Sequence, residues 1–523
     1  MNKSRGAGVV QAAGLLMAST ILSRVLGYVR DIIISSTYGQ GKMTDAYLAA
    51  FSIPDFLYSL LVGGAVSAAF IPVFSSYIAT DREDEGWKVA SSIFNIVVPV
   101  FLLGIGIAAI LAPLIVEKLL VPGFDPEYMA LTVTMTRIML IQAFFMALNG
   151  ICMGILNSYQ RFFSTSLASV MYNVMIILGG LLLQKRFGIV GFSVGVVIGA
   201  VTQFLIQFTA VCRSGLRYEP KIDLGHPGVR RIFFLMVPVV LSFSMNQLGL
   251  FVQQNLSSSM ASGSLTAIRW SQRLMQLPIG IFATTIAMAV FPTLTGQVAR
   301  REMDLFKSSF SLGLRTIFYI TIPAAVGLAV LSEPVVRLLY QQGSFSSDST
   351  SLTAYTLSYF CLGLCAYGGV QLMNRMFYAL QNTWTPVITG AGTMGLNIAL
   401  NYVLIESLGT GGLALSYSLA GIVNFLLLLW LLRRKIGRVD LRHILSSFFK
   451  ILGVSLIMGA GALTVSWALE TYVVDVATKT GQMIQVIGAV GLGGLLYVAL
   501  SLLLGMEEIN FVKSVLKRRF KQK

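Results

Sequence analysis

The sequence predicts an all-α polytopic membrane protein of about 14 transmembrane helices, in two parallel six-helix lobes followed by two C-terminal helices. Three observations predict it. Of the 523 residues, 55% are hydrophobic and only 11% charged, with a mean hydropathy of +0.77, which excludes an ordinary soluble globular domain. The apolar residues run continuously for the roughly 20 positions that a spanning helix needs, without the alternating ten-residue segments of a barrel. The first and second blocks of six spans also resemble each other at a nearly constant separation.

In chain order the spans fall at 9–36, 44–78, 88–119, 130–157, 163–184, 189–212, 229–259, 265–297, 308–332, 352–380, 384–405, 411–432, 443–469 and 482–505. The first runs from Gly8–Leu22 on through Val25–Ile34 with no small-residue cleavage site, so it reads as a membrane helix and not a signal peptide. An even number of spans puts both termini on one side. Short loops on that side and the two tails hold 24 of the 38 Lys and Arg residues, against 6 on the other. The positive-inside rule makes the richer side cytoplasmic. The net charge of +16 is thus spread between spans and not gathered into a nucleic-acid-binding patch. Cys152, Cys212, Cys361 and Cys365 lie in or beside apolar runs and read as packing residues.

Two cytoplasmic linkers divide the chain. The expected organisation is an N-lobe over 1–213, a linker over 214–228, a C-lobe over 229–432, a basic linker over 433–442, helices 13 and 14 over 443–505, and a basic cytoplasmic tail over 506–523. Leu156-Asn157-Ser158 with Asn173 matches Leu380-Gln381-Asn382 with Asn397 at a separation of 224. Gly191 with Gln203 matches Gly412 with Asn424 at 221, and Phe70-Ile71-Pro72 matches Val290-Phe291-Pro292 at 220. Copies that start on the same side are related by an axis along the membrane normal, as in two-lobed transporters.

Arginines inside spans cost roughly 2.5–3.5 kcal/mol each on insertion, so they point to a cavity or a partner. In Ser23-Arg24-Val25-Leu26-Gly27-Tyr28-Val29-Arg30-Asp31, helical geometry puts Arg24, Gly27 and Asp31 on one stripe and Arg30 about 120° away. Gly27 offers a bend that would aim both arginines at one cavity. The alternative places Arg30 and Asp31 at a membrane surface, with Arg24 neutralised by a carboxylate. In the eighth span Arg269 and Arg273 stand at i,i+4, a repulsive pair that an intervening anion would relieve. Arg273 carries more weight, because Arg269 lies near the span's start and can snorkel. Guanidinium, with two parallel donors, suits phosphate oxygens. Asp45 is either an arginine partner or a carboxylate favoured at a helix start. The amides Asn246, Gln247, Gln253, Gln254 and Asn255, with Asn157, Asn173, Asn397 and Asn401, read as interhelical glue or as cavity lining. Pro54 and Pro278 join Gly27 as bendable points for a conformational change.

No enzyme is predicted. His226 and His443 sit in or beside linkers, and the sequence carries no H-E-x-x-H, P-loop or Gly-x-Ser-x-Gly motif, so neither an ATP-driven pump nor an intramembrane hydrolase is supported.

The helix-one motif, with Thr44-Asp45-Ala46-Tyr47, Ile53-Pro54-Asp55, Ala69-Phe70-Ile71-Pro72, Gly154-Ile155-Leu156-Asn157-Ser158, Gln272-Arg273-Leu274-Met275-Gln276-Leu277-Pro278-Ile279-Gly280 and Phe291-Pro292-Thr293-Leu294, resembles the MurJ (MviN) family of lipid II flippases over essentially the whole chain. That family belongs to the multidrug, oligosaccharidyl-lipid and polysaccharide exporter superfamily. The resemblance implies alternating-access transport of an undecaprenyl-pyrophosphate-linked peptidoglycan precursor from the inner to the outer leaflet of the bacterial cytoplasmic membrane. It implies cavity arginines at Arg24, Arg30 and Arg273, supported by Ser23, Asp31, Asp45 and Arg269, and a groove for the lipid tail on helices 13 and 14. Lipid II, membrane lipids and cell-wall synthesis proteins are the implied partners, with no nucleic acid and no cofactor. Two departures stand out. Tyr58-Ser59 replaces an arginine pair found on helix two of some members. Gln253 replaces an acidic residue that forms part of a cation site, which leaves monovalent-cation coupling unsupported there. The competing readings are a flippase for another undecaprenyl-linked oligosaccharide, a multidrug exporter of the same superfamily, and a non-transporting scaffold for cell-wall enzymes.

Overall fold

The computed structural model describes residues 2–60, 69–437 and 439–508. The basic tail from Lys513 to Lys523 and the side chain of Asn246 lie outside the described residues. All regular structure among them is helical. Eleven helices are long and apolar enough to cross a membrane. The three other expected spans correspond to α1 (Asn2–Tyr38), to α2 (Lys42–Ala50), α3 (Ser52–Tyr58) and α4 (Ile71–Ala79) taken in succession, and to α9 (Pro227–Ser258).

The chain forms two compact units, Met1–Leu265 and Thr266–Lys523. The first contains α1 to α4, α5 (Glu83–Ile115), α6 (Pro126–Ser158), α7 (Phe162–Phe187), α8 (Val190–Cys212) and α9. The second contains nearly all of α10 (Ser264–Pro278), then α11 (Thr284–Ala299), α12 (Met303–Val330), α13 (Ser332–Tyr340), α14 (Ser347–Ala379), α15 (Trp384–Leu408), α16 (Thr410–Ile436), α17 (Leu441–Tyr472) and α18 (Lys479–Leu503).

Turn geometry establishes the duplication more firmly than the sequence matches do. Residues with φ between 54° and 88° recur as Gly39 and Gly263, Asp81 and Arg301, Gln160 and Gln381, Gly188 and Gly409, and Gly215 and Gly437, at separations of 220–224. The hydrogen bonds recur as well. Arg82 N–H reaches the Tyr77 carbonyl and Glu302 N–H the Gln297 carbonyl, both at 2.9 Å, while Arg161 to Leu156 and Asn382 to Phe377 are both 2.8 Å. Each closes a helix with a Schellman turn. At the Gln160 and Gln381 turns the separation is 221. The 224 suggested by Leu156-Asn157-Ser158 is therefore three residues out of register. A slip of three is close to one helical turn, so polar residues still fall on similar faces.

A proline inside a helix frees the carbonyl four residues earlier, and at three such prolines a neighbouring helix fills it. Pro54 frees Ala50, whose oxygen accepts the Thr136 hydroxyl at 3.4 Å. Pro113 frees Ala109, which accepts Arg137 Nε at 3.0 Å. Pro323 frees Tyr319, which accepts the buried Tyr497 hydroxyl at 2.7 Å. Each proline is thus keyed to a partner helix.

Two polar clasps hold α17 and α18 within their unit. At one end Arg315, 8% exposed, contacts Glu508 at 3.1 Å and Glu507 at 3.0 Å. Ser447 donates to the same Glu508 carboxylate at 2.5 Å, and His443 Nε2 lies 2.5 Å from Arg315. At the other end Arg337 pairs with Glu333 and Glu470, and the Lys479 ammonium donates to the Arg337, Leu338 and Gln341 carbonyls at 2.9–3.3 Å. A cation over the last carbonyls of α13 also complements its helix dipole.

Candidate substrate-binding residues

Along α1 the described hydrogen bonds fix one face against α7. The Ser23 and Ser169 hydroxyls lie 2.9 Å apart, and Asn173 Nδ2 donates to the Ser23 hydroxyl at 3.1 Å and to its carbonyl at 3.3 Å. A Cβ added at Gly27 would meet only Asn173 Oδ1, at an ordinary 3.8 Å. The helix runs unbroken through Gly27.

Arg24 and Arg30 of this helix differ. Arg30 is half-buried and bonds the Asp31 carboxylate through Nη2 at 3.1 Å and Nε at 3.2 Å; Asp31 is 3% exposed. Arg24 is exposed, and among the described residues it has no ion-pair or hydrogen-bond partner. Of the two expected possibilities, the carboxylate therefore goes to Arg30 and not to Arg24. Among the described side chains of α1, the uncompensated charge is Arg24. Tyr47, Tyr172 and Asp55 lie within electrostatic reach of one another or of Arg30, and Gln142 Nε2 reaches the Tyr172 hydroxyl at 3.4 Å. This polar group around Arg30 was not apparent in the sequence, because Tyr172 and Gln142 lie on distant apolar spans.

Asp45 stands in the first turn of α2 and is buried. Its Oδ2 accepts the Gly263 N–H at 2.7 Å, while Gln40 Nε2 donates to the Gly263 carbonyl at 3.0 Å. Gly263 has φ +88°, and a Cβ there would lie 2.7 Å from Gln40 Cγ, so only glycine fits this turn. Pro54 is buried in α3. Gln253 is buried in α9.

In the second unit, α10 turns one face inward. Trp270 is 2% exposed and stacks on Tyr340 with centroids 4.8 Å apart and planes 7° apart. The Ser271 hydroxyl donates to the Thr353 carbonyl at 2.8 Å, and Leu274 and Met275 are buried. That packing leaves Arg269, Arg273 and Gln276 on the more open face, with both arginines half-exposed. Pro278 ends α10, and a π-helical turn, Ile279–Ala283, separates it from α11. An interrupted ladder of this kind is a natural bending point.

Known proteins carry the same plan. A family model described as lipid II flippase MurJ matches residues 34–481. A probable lipid II flippase MurJ of Vibrio cholerae serotype O1 is 30% identical over 94% of this chain and 95% of its own length. One from Haemophilus influenzae is 30% identical over 84% of this chain and 89% of its own. A solved structure of lipid II flippase MurJ in an inward closed conformation superimposes with a TM-score of 0.80 at 28% identity, covering 95% of this chain and 99% of that one. An inward-facing multidrug transporter of the MATE family, at a TM-score of 0.69 and 16% identity over 79% of this chain and 94% of its own, shares the fold. With the family model spanning most of its length, this chain belongs to the MurJ family.

Proposed function

We propose that this protein is a lipid II flippase, moving the undecaprenyl-pyrophosphate-linked peptidoglycan precursor from the inner to the outer leaflet of the bacterial cytoplasmic membrane by alternating access. The observation that carries the reading is the exposed, uncompensated Arg24 guanidinium in a chain that matches the family over residues 34–481. A pyrophosphate offers Arg24 the oxyanions that the protein itself does not supply. Arg273, on the open face of α10, serves as a second contact. Arg30 is already half satisfied by Asp31 and acts chiefly as an electrostatic background. Work is done by binding and by conformational exchange, not by bond chemistry, and Pro278 with its π-helical turn supplies a point of bending.

Both termini and the linkers 214–228 and 433–442 are cytoplasmic in this reading, supported by the distribution of Lys and Arg. The pair α17–α18 takes the polyprenyl tail. Its support is a wide apolar face that includes exposed Leu456, Ile457, Ile487 and Leu495. Cell-wall synthesis proteins remain proposed partners.

The test is outer-leaflet exposure of lipid II in cells depleted of their own flippase and supplied with this chain. Restored exposure supports the assignment. Accumulation of lipid II inside, with the chain present in the membrane, would transfer the function to another undecaprenyl-linked oligosaccharide, the reading that the shared exporter fold supports next.

A further inference from the structure

A cavity of about 360 Å³ lies in the first unit between α5, α6 and α8, lined by Trp87, Phe94, Cys152, Ile155, Phe208 and Tyr218 among others. The segment after α8 forms one wall of it. Ser91 accepts the Glu219 N–H at 3.1 Å, Asn95 Nδ2 donates to the Glu219 and Lys221 carbonyls at 3.0 Å, and the Tyr218 hydroxyl donates to Asn95 Oδ1 at 2.6 Å. Arg217 pairs with Asp84. The strap thus turns its polar groups onto α5 and leaves Leu216 and Tyr218 facing an almost wholly apolar space. An apolar cavity of about 150 Å³ already accepts an apolar guest, and this one is larger.

Two further features define the guest. Phe208 and Leu205 are exposed on the flank of spanning helix α8, so an apolar approach leads from the lipid side to the cavity wall. Arg213 lies in the chain between the lining residues Val211 and Leu216, and Arg161 Nη1 contacts its carbonyl at 3.4 Å. Both arginines are exposed, and neither has an ion-pair partner among the described residues. A dry slot beside two uncompensated guanidinium groups complements an alkyl chain joined to a phosphate.

We infer that this slot binds one acyl chain of an anionic membrane phospholipid, with its phosphate held at Arg161 and Arg213. Its lining includes neither Arg24 nor Arg273, and it does not rest on the identity of the transported substrate. It ties the cytoplasmic strap to the lipid composition of the inner leaflet.

The test uses the full chain in phosphatidylcholine nanodiscs doped with phosphatidylglycerol bearing a photoactivatable diazirine near its chain end, with labelled peptides mapped by mass spectrometry. Ile151, Cys152 and Ile155 are at most 5% exposed, so bulk lipid does not reach them. The expected result is labelling of these residues that unlabelled phosphatidylglycerol competes away and phosphatidylcholine does not. Ala90→Phe should abolish it by filling the slot. Arg161→Gln with Arg213→Gln, a surface change, should weaken it about tenfold or more through the lost charged hydrogen bonds. In both variants exposed Leu495 and Leu503 of α18 should label as in the parent, which controls for folding and probe access. Absence of label at 151–155 in the parent overturns the inference, as does undiminished label in the arginine variant or equal competition by phosphatidylcholine.

Discussion

At the scale of single residues, the proposed function depends on which polar groups the fold satisfies. Arg24, Arg30, Arg269 and Arg273 were all visible in the sequence as charges that do not belong in lipid, but their different roles were not. Helical geometry put Arg24 and Asp31 on one stripe, whereas the folded side chain of Arg30 swings to its own neighbour and takes the carboxylate. Rotamer choice of that kind has no signature in spacing. The Tyr319 carbonyl shows the complementary case. Pro323 predicts that it is freed, yet only the fold shows Tyr497, 178 residues on, donating to it at 2.7 Å. Replacing Tyr497 with Phe leaves a buried acceptor unpaired and should cost about 1–3 kcal/mol of stability, read as a lowered thermal transition of the purified protein. Gln381 illustrates strain: at φ +54° it occupies the left-handed region that costs a side chain roughly 1–2 kcal/mol. Gln381→Gly should raise the same transition, and a fall would show that its side chain contributes more than its backbone loses.

At the scale of elements, helix existence was legible because apolar runs of this length have few other solutions, and interruptions were legible only in part. The eighth span reads as one apolar run, but Pro278 and the π-helical turn Ile279–Ala283 divide it. The second reads as one run, but within its described residues α2 and α3 are separate helices that meet at Phe51. The clasp on α17 and α18 was missed because its acids, Glu507 and Glu508, follow the last apolar run, while Arg315 sits within an earlier one. Removing the buried Glu508 carboxylate takes one charged partner from Arg315 and the acceptor of Ser447 while Glu507 still pairs with the guanidinium, so Glu508→Ala should destabilise the protein by about 1–3 kcal/mol. Glu507 adds a pH dependence. The Arg315 guanidinium, with help from His443, holds its carboxyl below the ordinary value of 4.5. A depressed carboxylate stabilises above its unfolded value, and that contribution is lost as pH falls through the folded one. Thermal stability should therefore drop between roughly pH 5 and pH 3, and less steeply in Glu507→Gln. An unchanged slope in that variant would remove Glu507 from the clasp.

At the scale of the whole molecule, duplication was the part most open to sequence reasoning. Residue matches at separations of 220–224 signalled the repeat. The Schellman turns and left-handed residues recurring at 220–224 make it a property of the backbone, and they correct the register by three residues near Gln160. Turn conformation persists where side chains diverge, which is why the structure shows the repeat more clearly. The proposed orientation rests on the distribution of Lys and Arg. A single cysteine placed at Arg82 should react with a membrane-impermeant thiol reagent only in inverted vesicles, and one placed at Lys118 only in intact cells; the reverse pattern would invert the topology.

In the proposed mechanism an uncompensated arginine on α1 grips the pyrophosphate while its neighbour, already paired with Asp31, does less. The most direct test measures outer-leaflet lipid II in flippase-depleted cells carrying the parent chain, Arg24→Ala, Arg273→Ala or Arg30→Ala at matched membrane levels. The account predicts restoration by the parent, failure of Arg24→Ala and Arg273→Ala, and a milder loss in Arg30→Ala. Full restoration by Arg24→Ala would contradict it, since the charge left free by the fold would then have no part in transport.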